Sequence, residues 1–159
     1  MLLTACSFGG GSKQISSFED CTAAGNPVAE SYPRTCRGPD GKMYREEIGN
    51  ILEKLDLIRP ESPRPLDTVS LPLTFTGEAR GTWYFEASFP VEIRDLQGNV
   101  LAQSHAEAQS DWMTTEFVPY KGTIDGSVGK GKVMLVLKKD NPSGLPEHED
   151  ELWMPVTIQ

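Results

Sequence analysis

The chain has 159 residues, of which 38% are hydrophobic and 24% charged, a composition that fits one modest folded core with polar flanking segments. Its 23 acidic residues outnumber the 15 basic ones, and the resulting net charge of −8 excludes a typical nucleic-acid binder. No apolar run approaches the roughly 18 residues that a membrane-spanning helix needs, so a membrane channel is excluded, as is a coiled coil.

The first residues predict a lipid anchor. Leu3-Thr4-Ala5-Cys6 resembles the lipobox of bacterial lipoproteins, in which the cysteine is lipidated, and a glycine-rich tether follows at 7–12. No basic segment and no full apolar stretch precede this motif, so we expect the natural precursor to begin upstream of Met1. Residues 1–17 are therefore predicted to be a lipobox remnant and a tether that attach an extracytoplasmic protein to the cell envelope through Cys6.

Two further cysteines predict a small stapled unit over 18–48. Cys21 and Cys36 are the only other cysteines, and a bridge between them would stabilise their loop by about 3 kcal/mol. Free thiols and a metal site are the alternatives. A disulfide is favoured because the only histidines, His105 and His148, are far away in sequence, whereas a zinc site needs four ligands. We expect no metal and no cofactor.

The stapled unit also has a partial likeness to a known family. Its segment from Pro33 to Tyr44 is similar to the Cys-x-x-Asp-Gly-x-x-Tyr stretch of Kazal-type protease inhibitors, which carry six cysteines. The likeness implies protease inhibition as an alternative function for this unit. The simpler interpretation is a small β unit with Asp40-Gly41 in its turn.

Residues 49–65 predict a short helix followed by a linker. Ile48, Ile51, Leu52 and Leu55 follow a helical period, although Gly49 weakens the helix. Three prolines between Arg59 and Pro65 indicate a semi-rigid, extended linker.

From residue 66 onward the apolar pattern has a period of two, which predicts β-strands. One alternating set runs Trp83, Phe85, Ala87, Phe89, Val91 and Ile93, and others lie near 71–75, 133–137 and 152–158. A turn at 95–99 joins the set that ends at Ile93 to a strand over 100–108. About seven short strands without helical crossovers predict a mainly β, antiparallel β-sandwich over 66–159. Aromatic residues such as Trp83, Phe85, Phe89 and Phe117 are expected to fill its core.

Several blocks in this region resemble one family. The segment Gly77-Glu78-Ala79-Arg80-Gly81-Thr82-Trp83-Tyr84-Phe85-Glu86 is similar to the first signature of the bacterial spore germination immunoglobulin-like domain, which is associated with the GerMN domain. Further matching blocks are Phe89-Pro90-Val91, Asp111-Trp112-Met113, Phe117-Val118-Pro119, Asn141-Pro142-Ser143-Gly144 and Pro155-Val156. The resemblance implies an immunoglobulin-like fold with a binding or structural role and brings no catalytic residues.

Four residues are candidates for binding a ligand. Tyr84 and Trp153 are out of phase with the apolar positions around them, so we expect them to be exposed and able to bind a ligand. Asn141 and Ser143 are further candidates in a loop. The family-like positions are interpreted as structural, and they are Gly77, Arg80, Trp83, Phe85, Glu86, Trp112 and Met113. The acidic run at 147–151 is interpreted as a solvated loop, since it lacks the spacing of a Ca²⁺ loop.

These patterns predict a non-enzymatic, lipid-anchored envelope protein whose sandwich binds a protein or an envelope polymer. The alternatives are protease inhibition through 18–48 and carbohydrate binding through Tyr84 and Trp153. No catalytic constellation is recognised, because neither His105 nor Ser143 has the partners that a nucleophile requires.

Overall fold

The computed structural model describes residues 14–159, which form two compact units, 14–47 and 48–159. The predicted lipidation site, Cys6, and most of the predicted tether lie outside the described residues. Among residues 14–159, no helix combines the length and apolarity that crossing a membrane would require.

The first unit contains one helix and a three-stranded antiparallel sheet. Its elements are α1 (Phe18–Ala23), β1 (Val28–Ala29), β2 (Thr35–Arg37) and β3 (Met43–Arg45). Helix α1 begins where the Ser17 side chain accepts the Asp20 N–H at 3.0 Å, which satisfies one of the free donors of the first turn. The turn between β2 and β3 contains Gly41 with a φ of +81°, as the predicted Asp40-Gly41 turn requires.

A disulfide holds this unit together, as predicted. Cys21 in α1 is bonded to Cys36 in β2 across a Cα–Cα distance of 6.1 Å. Both sulfurs are fully buried, and with Phe18 and Tyr44 they make up the buried core of the unit. So small a core fits the expectation that the segment needs a covalent staple.

The second unit is a β-sandwich with one short helix. Its elements are α2 (Ile51–Lys54), β4 (Ile58–Ser62), β5 (Thr68–Val69), β6 (Leu73–Arg80), β7 (Ser88–Arg94), β8 (Val100–Ala108), β9 (Phe117–Ile124), β10 (Gly131–Lys138) and β11 (Glu151–Ile158). The hydrogen-bonded order is β4-β6-β9-β8-β7-β10-β11-β5, and every pairing is antiparallel except β11 with β5. The predicted mainly β, antiparallel architecture is confirmed.

The sheet folds over at β8. Backbone pairing joins β8 to β9 through two residue pairs at the end of β8, whereas β7 pairs with β8 along its whole length. The inner faces of the two halves therefore share one core, in which the Phe89 ring of β7 contacts Tyr120 of β9 with 5.1 Å between ring centroids. Alternating buried residues of β7, β10 and β11 fill the other side of that core, as the period of two predicts.

The outer edge of β11 is covered by segments from earlier in the chain. The backbone of Asn50 and its side chain bind the β11 backbone at Glu151 and Trp153. Farther along, the Leu66 N–H donates to the Pro155 carbonyl, and β5 pairs with residues 157–158. A strand edge that would otherwise offer unpaired N–H and C=O groups is thus occupied over most of its length.

Two segments differ from their predicted structure. The helix expected around 48–58 is a single turn. It cannot begin earlier, because Gly49 has a φ of +79° and the neighbouring Asn50 is hydrogen-bonded to β11. Leu52 and Leu55, which a longer amphipathic helix would bury, are exposed. The segment expected to be an extended linker contains β4, which pairs with β6 through Ile58–Ser62. Pro60 is tolerated within this strand because β4 lies at the edge of the sheet.

The segment 81–87 is also not the strand that its alternation predicts. Gly81–Trp83 is a 3₁₀ turn, and Glu86 and Ala87 both have positive φ, at 49° and 62°. Because Phe85 and Ser88 exchange backbone hydrogen bonds around these two residues, they form a tight hairpin turn. Phe85 is consequently 41% exposed, so the prediction that it fills the core is wrong, whereas Trp83 and Phe89 are buried as expected.

Candidate functional site

An open cleft lies on the outer face of the β7-β10-β11 half of the sheet. It has a volume of about 650 Å³ and is bounded by the segment around α2 and by the loop before β11. Its lining combines one indole with amides and with charges of both signs, contributed by Asn50, Lys54, Pro90, Arg94, Lys138, Lys139, Asp140, Asn141, Gly144, Glu149, Asp150, Glu151 and Trp153.

An ion-pair network forms one side of the cleft. Glu92 and Arg94 alternate with the buried residues of β7, so both point away from the core, and the Arg94 Nε lies 2.7 Å from a Glu92 oxygen. The two terminal nitrogens of Arg94 donate to both oxygens of Glu151, each at 3.0 Å. Lys138 lies 3.5 Å from the second Glu92 oxygen. Each buried charge in this network therefore has a partner of opposite sign.

The pKa of Glu92 reports the balance of this network. Its side chain is only 7% exposed, and burial by itself would raise the pKa of the carboxyl group. The hydrogen bond and positive charge of Arg94, with help from Lys138, outweigh burial and hold the pKa below its ordinary value. The carboxylate therefore stays ionised and holds Arg94 in place.

Asn50 connects the segment before α2 to the wall of the cleft. Its side-chain oxygen accepts the Trp153 N–H at 2.8 Å, and its side-chain nitrogen donates to the Glu151 carbonyl at 3.0 Å. A Cβ at Gly49 would lie 1.9 Å from the Trp153 carbonyl oxygen, so this close approach needs glycine. Four residues beyond Asn50, Lys54 pairs with Asp150 at 2.5 Å.

The loop at 140–148 forms the opposite rim. Asn141 donates to the Leu145 carbonyl at 2.9 Å, and the Ser143 hydroxyl donates to the Asn141 side-chain oxygen at 2.5 Å. The same hydroxyl lies 3.0 Å from Nδ1 of His148. Since all these contacts span at most five residues, they stabilise the loop and do not build a nucleophile site.

Asp140 carries a charge in a partly buried position on this rim. Its N–H donates to the Trp83 carbonyl at 3.0 Å, which attaches the loop to the core. Burial raises the pKa of its carboxyl group, and the nearby charge of Glu86 acts in the same direction, against an opposing effect from His105. The fold therefore holds this carboxylate in a position that disfavours its ionised form.

The structure brings together some of the predicted binding residues and separates others. Trp153 and Asn141 line the cleft, and Ser143 lies in the adjoining loop. The prediction that Tyr84 is exposed is wrong: the residue is 4% exposed, and its hydroxyl donates to the Val118 carbonyl at 2.7 Å inside the core. Tyr84 follows a 3₁₀ turn, so the period of two on which its orientation was predicted does not apply.

Most of the cleft was not predicted from the sequence. Glu92, Arg94 and Glu151 meet only because β10 lies between β7 and β11, which no local pattern indicates. The one available signal was that Glu92 and Arg94 alternate with the apolar positions of β7. Among residues 14–159, no group of histidine, cysteine, aspartate or glutamate side chains is placed to hold a metal ion. The arrangement is suited to hydrogen bonding and charge recognition.

The predicted structural positions occupy the other half of the sheet and one end of the sandwich. A Cβ at Gly77 would lie 2.4 Å from both the Arg59 carbonyl oxygen and the Tyr120 hydroxyl. The guanidinium of Arg80 lies 4.0 Å from the centroid of the Phe117 ring, which Arg59 also contacts at 3.8 Å. These contacts agree with a structural role for Gly77 and Arg80.

The unit at 14–47 presents its own polar contacts. Arg34, within the segment that is similar to Kazal inhibitors, is paired with Glu46 through several hydrogen bonds, and its guanidinium lies 5.2 Å from the Phe18 ring centroid. The Arg34 hydrogen bond holds the pKa of Glu46 below its ordinary value. Arg34 is thus engaged within the unit.

Comparison with known proteins gives one match. The family model described as the immunoglobulin-like domain of bacterial spore germination, Gmad2, matches residues 57–144, just over half of the chain. No curated protein and no solved structure matches. The match confirms the resemblance carried by the block from Gly77 to Glu86, although it begins earlier and ends earlier than the predicted span of 66–159.

Proposed function

The chain belongs to the family of immunoglobulin-like domains of bacterial spore germination, and on this basis we propose that it is a lipid-anchored envelope protein whose cleft binds a polar envelope polymer. The family is not a known family of enzymes, so the established part of this function is that of an immunoglobulin-like module. The lipid on Cys6 would hold the protein at the membrane on the extracytoplasmic side. The segments before the sandwich would set its reach.

The cleft beside Trp153 is the observation that supports binding. An indole bordered by amides and by paired charges of both signs suits a ligand rich in hydroxyl and amide groups, since sugar faces stack on aromatic rings while planar polar side chains bind their substituents. A carboxylate kept partly buried at Asp140 is costly for the fold, which is typical of groups retained for binding. A saccharide-containing polymer is therefore the partner that the geometry favours over a protein.

Cosedimentation with insoluble peptidoglycan tests the cleft. The purified full chain should bind, and soluble N-acetylglucosamine oligomers should compete. Trp153→Leu and Asn141→Ala should each reduce the bound fraction about tenfold, because the first removes the ring from the lining and the second removes the amide that holds the loop at its rim. Tyr32→Leu, which changes an exposed aromatic residue in the other unit, should bind normally.

Two outcomes would overturn this part of the proposal. If the Trp153 and Tyr32 variants bind equally well, the cleft is not the site. If protease treatment of the peptidoglycan abolishes binding while the oligomers do not compete, the partner is a protein. An unchanged far-ultraviolet circular dichroism spectrum and an unchanged urea midpoint would establish that each variant is folded.

The anchor has a separate test. The protein should be produced in a bacterial host from its natural gene with the sequence upstream of Met1 and extracted from the membrane. Mass spectrometry should find acyl groups on Cys6, and Cys6→Ser should release the protein into the soluble fraction. Unmodified Cys6 in protein recovered from the cytosol would contradict the anchor and leave the cleft experiment unaffected.

The oxidising compartment expected for such a protein agrees with its chemistry. Disulfides persist mainly outside the cytosol, and Cys21–Cys36 is fully buried in the small unit. The same bond accounts for how a segment with few apolar residues can stay folded there.

A further inference from the structure

A second surface lies at the end of the sandwich where β7 begins, and it is apolar. Phe85 is 41% exposed and Met113 is 76% exposed, although both are large apolar side chains. The half-buried Trp112 joins them, since its ring and that of Phe85 have centroids 6.4 Å apart with an interplanar angle of 66°. We call Phe85, Trp112 and Met113 the end cluster.

The backbone that presents Phe85 is strained. The two-residue turn after it uses Glu86 and Ala87 at positive φ, where asparagine and glycine are normally found. Left-handed backbone is energetically unfavourable at glutamate and alanine, whose Cβ crowds the backbone in that conformation. The turn is held in place because the Ala87 carbonyl accepts the Ala108 N–H at 2.8 Å. The fold thus maintains an unfavourable turn whose effect is to place an aromatic ring in solvent.

The loop that carries the other two residues is fixed by its own contacts. A Cβ at Gly81 would lie 1.9 Å from the Thr114 carbonyl oxygen and 2.3 Å from that of Trp112, so the loop packs directly on the 3₁₀ turn. The Met113 N–H donates to Asp111 at 3.0 Å, and the Glu116 carbonyl accepts the Gly81 N–H at 3.0 Å. Met113 is therefore exposed to solvent although the loop that carries it is held by these contacts.

The end cluster is bordered by negative charge. Glu86 adjoins Phe85, Asp111 adjoins Trp112, and Glu116 closes the loop; all three are exposed, and none forms an ion pair with a described residue. Arg80 also reaches this loop, through the Thr115 carbonyl, but its guanidinium stacks on Phe117 and binds the Asp56 carbonyl. Unpaired carboxylates around exposed apolar side chains fit a partner that is apolar and positively charged.

From these observations we infer that the end cluster is a docking surface for a basic, partly apolar polypeptide segment. An anionic bilayer would meet three carboxylates and be repelled, so a lipid surface is disfavoured. The cleft beside Trp153 is lined by different residues, and this inference does not depend on it.

Selection from a phage-displayed library of random dodecapeptides tests the inference. Peptides retained by the full chain should be enriched in lysine and arginine together with leucine, isoleucine or aromatic residues. The peptide with the highest enrichment would then be synthesised and its affinity measured by fluorescence anisotropy at several salt concentrations, because charge pairing at an exposed rim weakens with salt.

Matched variants place the binding on the end cluster. Met113→Ser should weaken binding of the selected peptide by about fivefold or more, whereas Leu96→Ser, at the similarly exposed tip of the β7–β8 hairpin, should not. The triple variant Glu86→Gln, Asp111→Asn and Glu116→Gln should weaken it by about tenfold and reduce its salt dependence. The same neutralisation at the exposed Glu53, Asp125 and Glu147 is the charge control.

Several results would overturn the inference. One is that the library yields no enriched peptide, and another is that the enriched peptides lack a basic and apolar bias. A third is that the cluster variants and their controls lose equal affinity for the selected peptide. Flotation of the chain with vesicles of phosphatidylcholine and phosphatidylglycerol, lost on Met113→Ser, would assign the end cluster to lipid instead. Because Met113 is so exposed, its serine variant should fold normally, which circular dichroism would verify.

Discussion

Removing the disulfide should unfold the small unit and leave the sandwich folded. The change is the double variant Cys21→Ala and Cys36→Ala, made with Cys6→Ser so that no thiol remains. The bridged cysteines are 15 residues apart, and closing a loop of that size stabilises the native state by about 3 kcal/mol. The rest of the unit's buried core is two aromatic side chains, each of which contributes roughly 2 kcal/mol on burial. The bond is therefore the largest single contribution to the stability of the small unit.

The distribution of aromatic residues allows the two units to be followed separately. All three tryptophans, at 83, 112 and 153, belong to the sandwich, so their fluorescence during a urea titration reports only that unit. Amide resonances of residues 18–47 in two-dimensional NMR spectra report the small unit. In the variant those resonances should collapse to random-coil positions before urea is added, while the tryptophan midpoint stays within error of the parent.

The control is Thr22→Ala with Thr35→Ala, which changes the neighbours of the two cysteines and keeps the bond. It should lower the free energy of unfolding of the small unit by no more than about 1 kcal/mol. Native amide positions in the cysteine variant would refute the claim that the bond decides the stability of this unit. A tryptophan midpoint that falls with the variant would refute the claim that the sandwich keeps its own core.

Three further outcomes follow from the sandwich. Because the pKa of Glu92 is lower in the folded than in the unfolded state, the free energy of unfolding should fall as pH decreases below about 4.5, and Glu92→Gln should flatten that dependence in urea titrations. Because burial raises the pKa of Asp140, Asp140→Asn should increase the free energy of unfolding at neutral pH, and this gain should vanish below about pH 3.8, where the carboxyl group is protonated in both states. The same variant should bind less peptidoglycan. Replacing Glu86-Ala87 by Asn-Gly should raise the free energy of unfolding by about 1–2 kcal/mol, measured by urea titration, because asparagine and glycine tolerate positive φ.

The strands were predictable from sequence where each has one buried face. β7, β10 and β11 follow alternating patterns, and β8 was expected after the turn at 95–99, which was recognisable from its Asp and Gly residues. The segment 81–87 was mispredicted because a 3₁₀ turn followed by a tight turn happens to reproduce a period of two. Neither Glu86 nor Ala87 is a residue type that signals positive φ, so the turn was invisible to pattern analysis.

The cleft was predictable only in part, for a physical reason. Trp153 and Asn141 could be identified as candidates from their own positions, but the other residues that line the cleft come from several segments, one of them about 100 residues from Trp153, as the bonds between Asn50 and Trp153 illustrate. Such contacts depend on the order of strands in the sheet, which alternation does not specify. The prediction for Tyr84 was wrong for a local reason: the 3₁₀ turn at Gly81–Trp83 breaks the period of two and directs its side chain into the core.

The cover on β11 has a consequence for how this domain can be cut from its chain. A fragment spanning only the family match, 57–144, would lack β11 and so the core side chains Leu152, Met154, Val156 and Ile158. One edge of β10 would then be unpaired. A fragment that began at 57 and kept β11 would still lose Asn50, leaving the Glu151–Trp153 backbone open to pairing with other molecules. A fragment that keeps this edge covered should therefore start no later than Ile48 and run through Gln159.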